Sequence, residues 1–121
     1  MYDQMIQTTL ESADELYYAA KEELCRPEED VVPYMVCNNA YKSVGKYLTG
    51  YLLKKGIEIH SSMSPDVLLN LCRDVDSRFN DLHLSPLMHT DNPEDVWVNM
   101  DTVRKFIDLA TQTRMLVGVE S

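Results

Sequence analysis

Along this chain, apolar residues recur every three or four positions in four stretches, the period that lines one face of an α-helix. In the first stretch, from about Gln4 to Leu24, the stripe is Ile6, Leu10, Ala13, Tyr17, Ala20 and Leu24. Glu11, Asp14, Glu15 and Glu22 fall off that stripe and are expected to face solvent. Pro27 and the acidic run Glu28-Glu29-Asp30 break the pattern. Pro33 opens a second helix, because a first-turn amide has no helical acceptor and proline gives nothing up by lacking one. Its stripe is Val36, Ala40, Val44, Tyr47, Tyr51 and Leu52, and Lys54-Lys55-Gly56 predicts its end. There the cations meet the negative pole of the helix and glycine takes the left-handed cap. Gly45 and Gly50 lie inside this helix and each costs about 1 kcal/mol relative to alanine. Either close packing against a helix or ligand requires them, or they are simply tolerated.

Ile57-Glu58-Ile59-His60 alternates like a strand but is too short to build a sheet. Ser64-Pro65 reads as the cap and first residue of a third helix with an apolar face of Val67, Leu68, Leu71, Cys72 and Val75, ending between Phe79 and Leu82. After a link at 83–91, Asn92-Pro93-Glu94-Asp95 restarts the helical pattern. Val96, Met100, Val103, Ile107 and Ala110 form the inner stripe of this fourth helix. Trp97, Phe106, Leu109 and Leu116 widen the apolar surface, which predicts a second buried face against another subunit. Four amphipathic helices cannot hide their stripes alone. The expected fold is therefore all-α, an antiparallel up-and-down four-helix bundle forming a single domain over residues 1–121.

Charge refines the picture. The net charge of -9 argues against broad, non-specific nucleic-acid binding, which relies on Lys and Arg replacing phosphate counterions. The balance is uneven: residues 1–30 hold nine acids against two bases, and 61–121 hold ten against five. Residues 31–60 hold four bases against one acid and alone welcome an anion. Three cysteines without paired spacing suggest neither a disulfide framework nor a thiolate zinc site. No stretch is apolar enough to span a bilayer, and the first residues do not resemble a secretory signal, so a cytoplasmic location is expected.

Phosphate loops, zinc helices and nucleophile elbows are absent from the sequence. His60, His83 and His89 all fall in links, so no metal or cofactor is expected. Arg78 and His83 are the candidate catalytic pair: an arginine to stabilise phosphate charge and a histidine for proton transfer at an RNA 2′-hydroxyl. Alternatively, Arg78 pairs with Asp74 or Asp81 on its own helix and His83 caps that helix. Lys42 and Lys46, four apart, share a face of the second helix with Asn38, Asn39 and Ser43 close by. They suit an anionic or nucleotide-like ligand, or else form a solvated face that neutralises the acidic first helix. Tyrosine supplies seven of the ten aromatics; periodicity puts Tyr17, Tyr47 and Tyr51 in the core and Tyr18, Tyr34 and Tyr41 at the surface.

The run Val32-Pro33-Tyr34-Met35-Val36-Cys37-Asn38-Asn39-Ala40-Tyr41-Lys42-Ser43-Val44-Gly45-Lys46-Tyr47-Leu48, followed by Leu52-Leu53-Lys54-Lys55-Gly56-Ile57-Glu58, resembles the central helix of the HEPN family of nucleotide-binding helical domains. The likeness continues through Ser64–Cys72 and through Phe106-Ile107-Asp108-Leu109-Ala110-Thr111-Gln112. The resemblance implies an up-and-down bundle, commonly a homodimer, often partnered by a minimal nucleotidyltransferase and in some cases forming a toxin–antitoxin pair. In some members it implies a metal-independent ribonuclease, and Arg78 and His83 have the spacing of that arginine and histidine. This chain departs from the pattern at several points: Phe79 replaces a polar residue, Gly45 precedes Lys46 in place of glutamate, and Thr49 replaces a second lysine. Pro65-Asp66 stands where a histidine is customary. The expected function is a non-catalytic binding and dimerisation module. It would take a nucleotide-like anion or a nucleotidyltransferase partner through Asn38, Asn39, Tyr41, Lys42 and Lys46. The alternatives are the ribonuclease and a structural domain without ligand.

Overall fold

The computed structural model describes residues 2–59, 63–83 and 100–118. Among them are four α-helices, α1 (Tyr2–Leu24), α2 (Pro33–Lys54), α3 (Pro65–Val75) and α4 (Met100–Val117), and no strand. The predicted start of the fourth helix at Asn92-Pro93, with Val96 and Trp97, lies outside the described residues, as do His60 and His89.

α1 buries Ala13, Tyr17 and Ala20, while Ile6, Leu10 and Leu24 are half-buried. Small residues on this stripe let α2 approach closely, and Gly50 leaves room on the α2 side for Leu10. A Cβ there would lie 2.5 Å from Leu10 Cδ2. Tyr47 donates to Asp14, and the Val32 amide donates to Glu23 Oε2 at 2.9 Å, so α1 and α2 run antiparallel. Glu23 is itself buried and also takes the Arg26 guanidinium at 3.3 Å, fixing the turn around Pro27 that carries the chain into α2. α2 buries its whole expected stripe. It closes with Gly56 at φ +78°, the Gly56 amide donating to Leu53 and the Ile57 amide to Leu52, both at 3.0 Å. Those two bonds satisfy carbonyls that the helix end would otherwise leave open.

α3 is shorter than the pattern suggests and is rotated about its axis. Leu68, Leu69 and Cys72 are buried, while Val67 and Val75 are exposed. Apolar residues cover more than half of this short helix, so its own periodicity cannot choose which side faces inward. Ser64 precedes the helix, but its hydroxyl bonds the Asp66 carboxylate at 2.5 Å instead of a backbone amide. The α-helix stops at Val75, and a 3-10 turn, Ser77–Asp81, follows. Arg73 holds that turn through the carbonyls of Phe79 and Leu82, at 3.3 and 2.6 Å, and the side chains of both those residues enter the core.

α4 buries Val103, Phe106, Leu109, Ala110, Thr113 and Val117. Phe106 and Leu109 therefore belong to this chain's own core and not to a second apolar face, because α4 sits in the groove between α1 and α2. Asp14 meets Arg114 and Tyr17 meets Thr111, which sets α4 antiparallel to α1. One continuous core joins residues of all four helices with Phe79 and Leu82.

Candidate functional site

Side chains advance by about 100° per residue around a helix. On α2 this places Met35, Asn38, Asn39, Lys42, Lys46 and Thr49 on the side opposite Val36, Ala40, Val44 and Tyr47. The structure follows that division. Lys42 and Lys46 are exposed, and Asn38 and Asn39 are half-buried at the margin. Tyr41 is half-buried with its ring against the core, so it borders the face and does not stand on it. Ser43 is buried and donates to the Ala40 carbonyl at 2.7 Å, which removes it from any ligand set.

Among the described residues, neither Lys42 nor Lys46 forms an ion pair. Glu11, Glu15 and Glu22 of α1 point outward from their own helix and do not reach them. Among the described residues these lysines therefore do not pair directly with the acids of α1. Two cations four residues apart, flanked by two amides, present point charge beside donor–acceptor groups on a rigid helix.

Arg78 and His83 are placed differently. The Arg78 guanidinium binds the Asp76 carboxylate through Nε at 3.0 Å and a terminal nitrogen at 2.8 Å, and also reaches the Leu116 carbonyl at 3.2 Å. Its partner is Asp76 and neither Asp74 nor Asp81, because α3 ends at Val75 and Asp76 turns back to cap the 3-10 turn through the Arg78 amide at 3.0 Å. The Tyr51 hydroxyl donates to the same carboxylate at 2.8 Å. Hydrogen bonds from the Arg78 side chain, then from its backbone, then from Tyr51 hold the Asp76 carboxyl well below the usual carboxylate range. Arg78 is thereby a brace between the 3-10 turn and the end of α4. His83 is exposed just after the buried Leu82, and α3 has already ended at Val75.

Sequence reading missed the polar seam between α1, α2 and α4. The Asp14 carboxylate accepts from both Tyr47 and the Nε of Arg114, the latter at 3.0 Å. The Tyr17 and Thr111 hydroxyls bond at 2.7 Å. The guanidinium of Arg114 lies 5.8 and 5.6 Å from the ring centres of Tyr17 and Tyr18. A signal for Asp14 was available: Leu10, Asp14, Tyr17 and Lys21 also step by four, three and four, so Asp14 sits on the shoulder of the buried stripe. Among the described residues, no group of acidic, histidine or cysteine side chains is arranged to hold a metal ion. No helix among them is long and apolar enough to cross a membrane. Compared with family models, curated proteins and solved structures, the chain matches none.

Proposed function

We propose that this chain is a non-catalytic helical recognition module that binds a nucleotide-like anion on the outward face of α2. The observation that carries this reading is the exposed Lys42–Lys46 pair, which has no ion-pair partner among the described residues of a chain with net charge -9. Asn38 and Asn39 flank the pair and supply hydrogen bonding that a bare lysine pair lacks. The reading takes the fold as a HEPN-like up-and-down bundle, supported by α1 running antiparallel to both α2 and α4. It also takes the chain to be a cytoplasmic homodimer that presents this face to an acidic ligand or a nucleotidyltransferase partner. The ribonuclease alternative draws less support, since Asp76 already occupies the arginine it needs.

Calorimetric titration with AMP, with native chain beside Lys42→Glu and Lys46→Glu, tests the proposal. Saturable binding that either charge reversal weakens at least tenfold supports it. Binding that is absent, or indifferent to both substitutions, ends it. Sedimentation of the native chain reads the oligomeric state in the same samples.

A further inference from the structure

The outward face of α2 continues beyond Lys46. Thr49, half-buried, and Leu53, buried, follow three and seven residues further on at the same helical register and line a groove of about 250 Å³. Met5 and Thr9 of α1 make one wall, and Ile59, Met63 and Leu68 make the other. The Thr9 hydroxyl donates to the Met5 carbonyl at 2.9 Å and the Thr49 hydroxyl to the Gly45 carbonyl at 2.8 Å. Both hydroxyl protons are thus already used within their own helices. No charged residue among the described ones lines the groove. A lining of this kind suits hydrocarbon and offers a base or sugar hydroxyl acceptors but no side-chain donor among the described residues. Lys46 stands less than one helical turn from Thr49, about 5 Å along the axis.

We infer that the groove takes the apolar chain of an amphiphilic anion, a medium-chain carboxylate, whose head group rests on Lys46. This inference rests on the anion-binding reading of the α2 face and assigns the groove beside Lys46 a second, amphiphilic class of anion. Charge selects the head group, because Lys46, exposed and without an ion-pair partner among the described residues, lies three residues before the lining residue Thr49, and no acid is found among the described lining residues. The lining selects the tail, since each methylene removed from water strengthens binding by roughly three- to fourfold.

Calorimetric titration of the full chain with hexanoate, octanoate and decanoate, each below its micelle concentration, tests it. Decyltrimethylammonium carries the decanoate chain with the opposite head charge. Affinity should rise stepwise with carboxylate length and be at least tenfold weaker for the cation. Lys46→Glu should weaken decanoate tenfold or more. Thr9→Phe should fill the groove and weaken it likewise. Met5→Glu, at a position 48 % exposed and hence safe for folding, should do so by placing an acid at the wall. Equal binding of the two head groups, no dependence on chain length, or indifference to Met5→Glu would each overturn the inference. So would sedimentation showing that a second copy covers the groove and decanoate binds only the dissociated chain. If AMP binds through Lys42 and Lys46 while decanoate does not, the anion site stands and the groove proposal alone falls. If neither ligand binds, both fall.

Discussion

The Arg114 side chain of α4 meets the Asp14 carboxylate of α1 at 3.0 Å across one hundred residues of sequence. Neither side chain is in open water: Arg114 is 18 % exposed and Asp14 is 28 % exposed. Tyr47, fully buried on α2, donates to the same carboxylate, so one acid joins the three long helices. Burial first, and then the Asp14 hydrogen bond and charge, raise the Tyr47 hydroxyl well above the usual tyrosine range. A polar group at such a junction tells one helix arrangement from another, because any slip strands a donor or an acceptor in a dry setting.

Asp14→Ala should therefore destabilise the chain by about 1–3 kcal/mol, since it leaves both the Tyr47 hydroxyl and the Arg114 guanidinium without their acceptor. Tyr47→Phe should cost about 1 kcal/mol, because it removes a single donor and leaves the Asp14–Arg114 pair in place. Urea unfolding of the two single variants and the double variant measures the coupling. Strict additivity would show that the bond to Tyr47 contributes nothing.

The two glycines of α2 should respond in opposite directions. At Gly45 the nearest atom to an added Cβ is Pro65 Cγ at 4.0 Å, an ordinary contact. Gly45→Ala should accordingly stabilise the chain by up to about 1 kcal/mol through helix propensity. At Gly50 the same methyl would meet Leu10 at 2.5 and 2.8 Å. Crowding of about 1–3 kcal/mol then outweighs the propensity gain, for a net loss of about 1 kcal/mol. Thermal melts of both variants decide the matter, and shifts of the same sign would contradict the packing described.

How much of this the sequence disclosed differs from helix to helix. The long stripes of α1 and α2 were legible because each spans several turns, and periodicity over that length leaves one inward side. Tyr17, Tyr47 and Tyr51 were placed correctly on that basis, at 4, 0 and 5 % exposure. α3 was misread in phase: with Val67, Leu68, Leu69, Leu71, Cys72 and Val75 all apolar, only packing against α2 chooses Leu69 over Val67. Gly50 and Gly45 look alike in sequence, and only the position of Leu10 separates them. Asp14 and Asp76 escaped for a shared reason. Their partners are distant or lie across a helix end that pattern alone does not locate. The lysine face was legible as spacing, whereas its freedom from α1 depended on three-dimensional distances.

Burial should protect two of the three thiols. Cys25 is exposed, and Cys37 and Cys72 are buried. Burial pushes both buried thiols up to about 12, with the Asp76 charge adding to the effect at Cys72. At pH 8 a thiol-disulfide reagent should modify one cysteine rapidly and the other two only after denaturation. The same shifts carry a stability consequence. These groups bind protons more tightly when folded, so their contribution is intact below about pH 9 and declines as pH climbs toward 12. Urea midpoints measured from pH 8 to 11 should fall, and Cys37→Ser with Cys72→Ser should flatten the decline. Rapid reaction of all three thiols in the native chain would refute the burial.

Arg78 should prove to be a brace and not a source of RNA cleavage. Asp76 is held below the usual carboxylate range, so it stabilises the fold above about pH 4 and loses that contribution as pH falls further. Arg78→Ala should lower the melting temperature at neutral pH and shrink the acid-induced loss of stability, as should Asp76→Asn. The native chain, Arg78→Ala and His83→Ala should leave a labelled single-stranded RNA equally intact after prolonged incubation. Cleavage by the native chain that disappears in both variants would instead mean that the guanidinium leaves Asp76 for a phosphate, and would restore the pair as an active site. The melting profile separates these outcomes, because a brace changes stability in Arg78→Ala while His83→Ala, altered at an exposed position, leaves it unchanged.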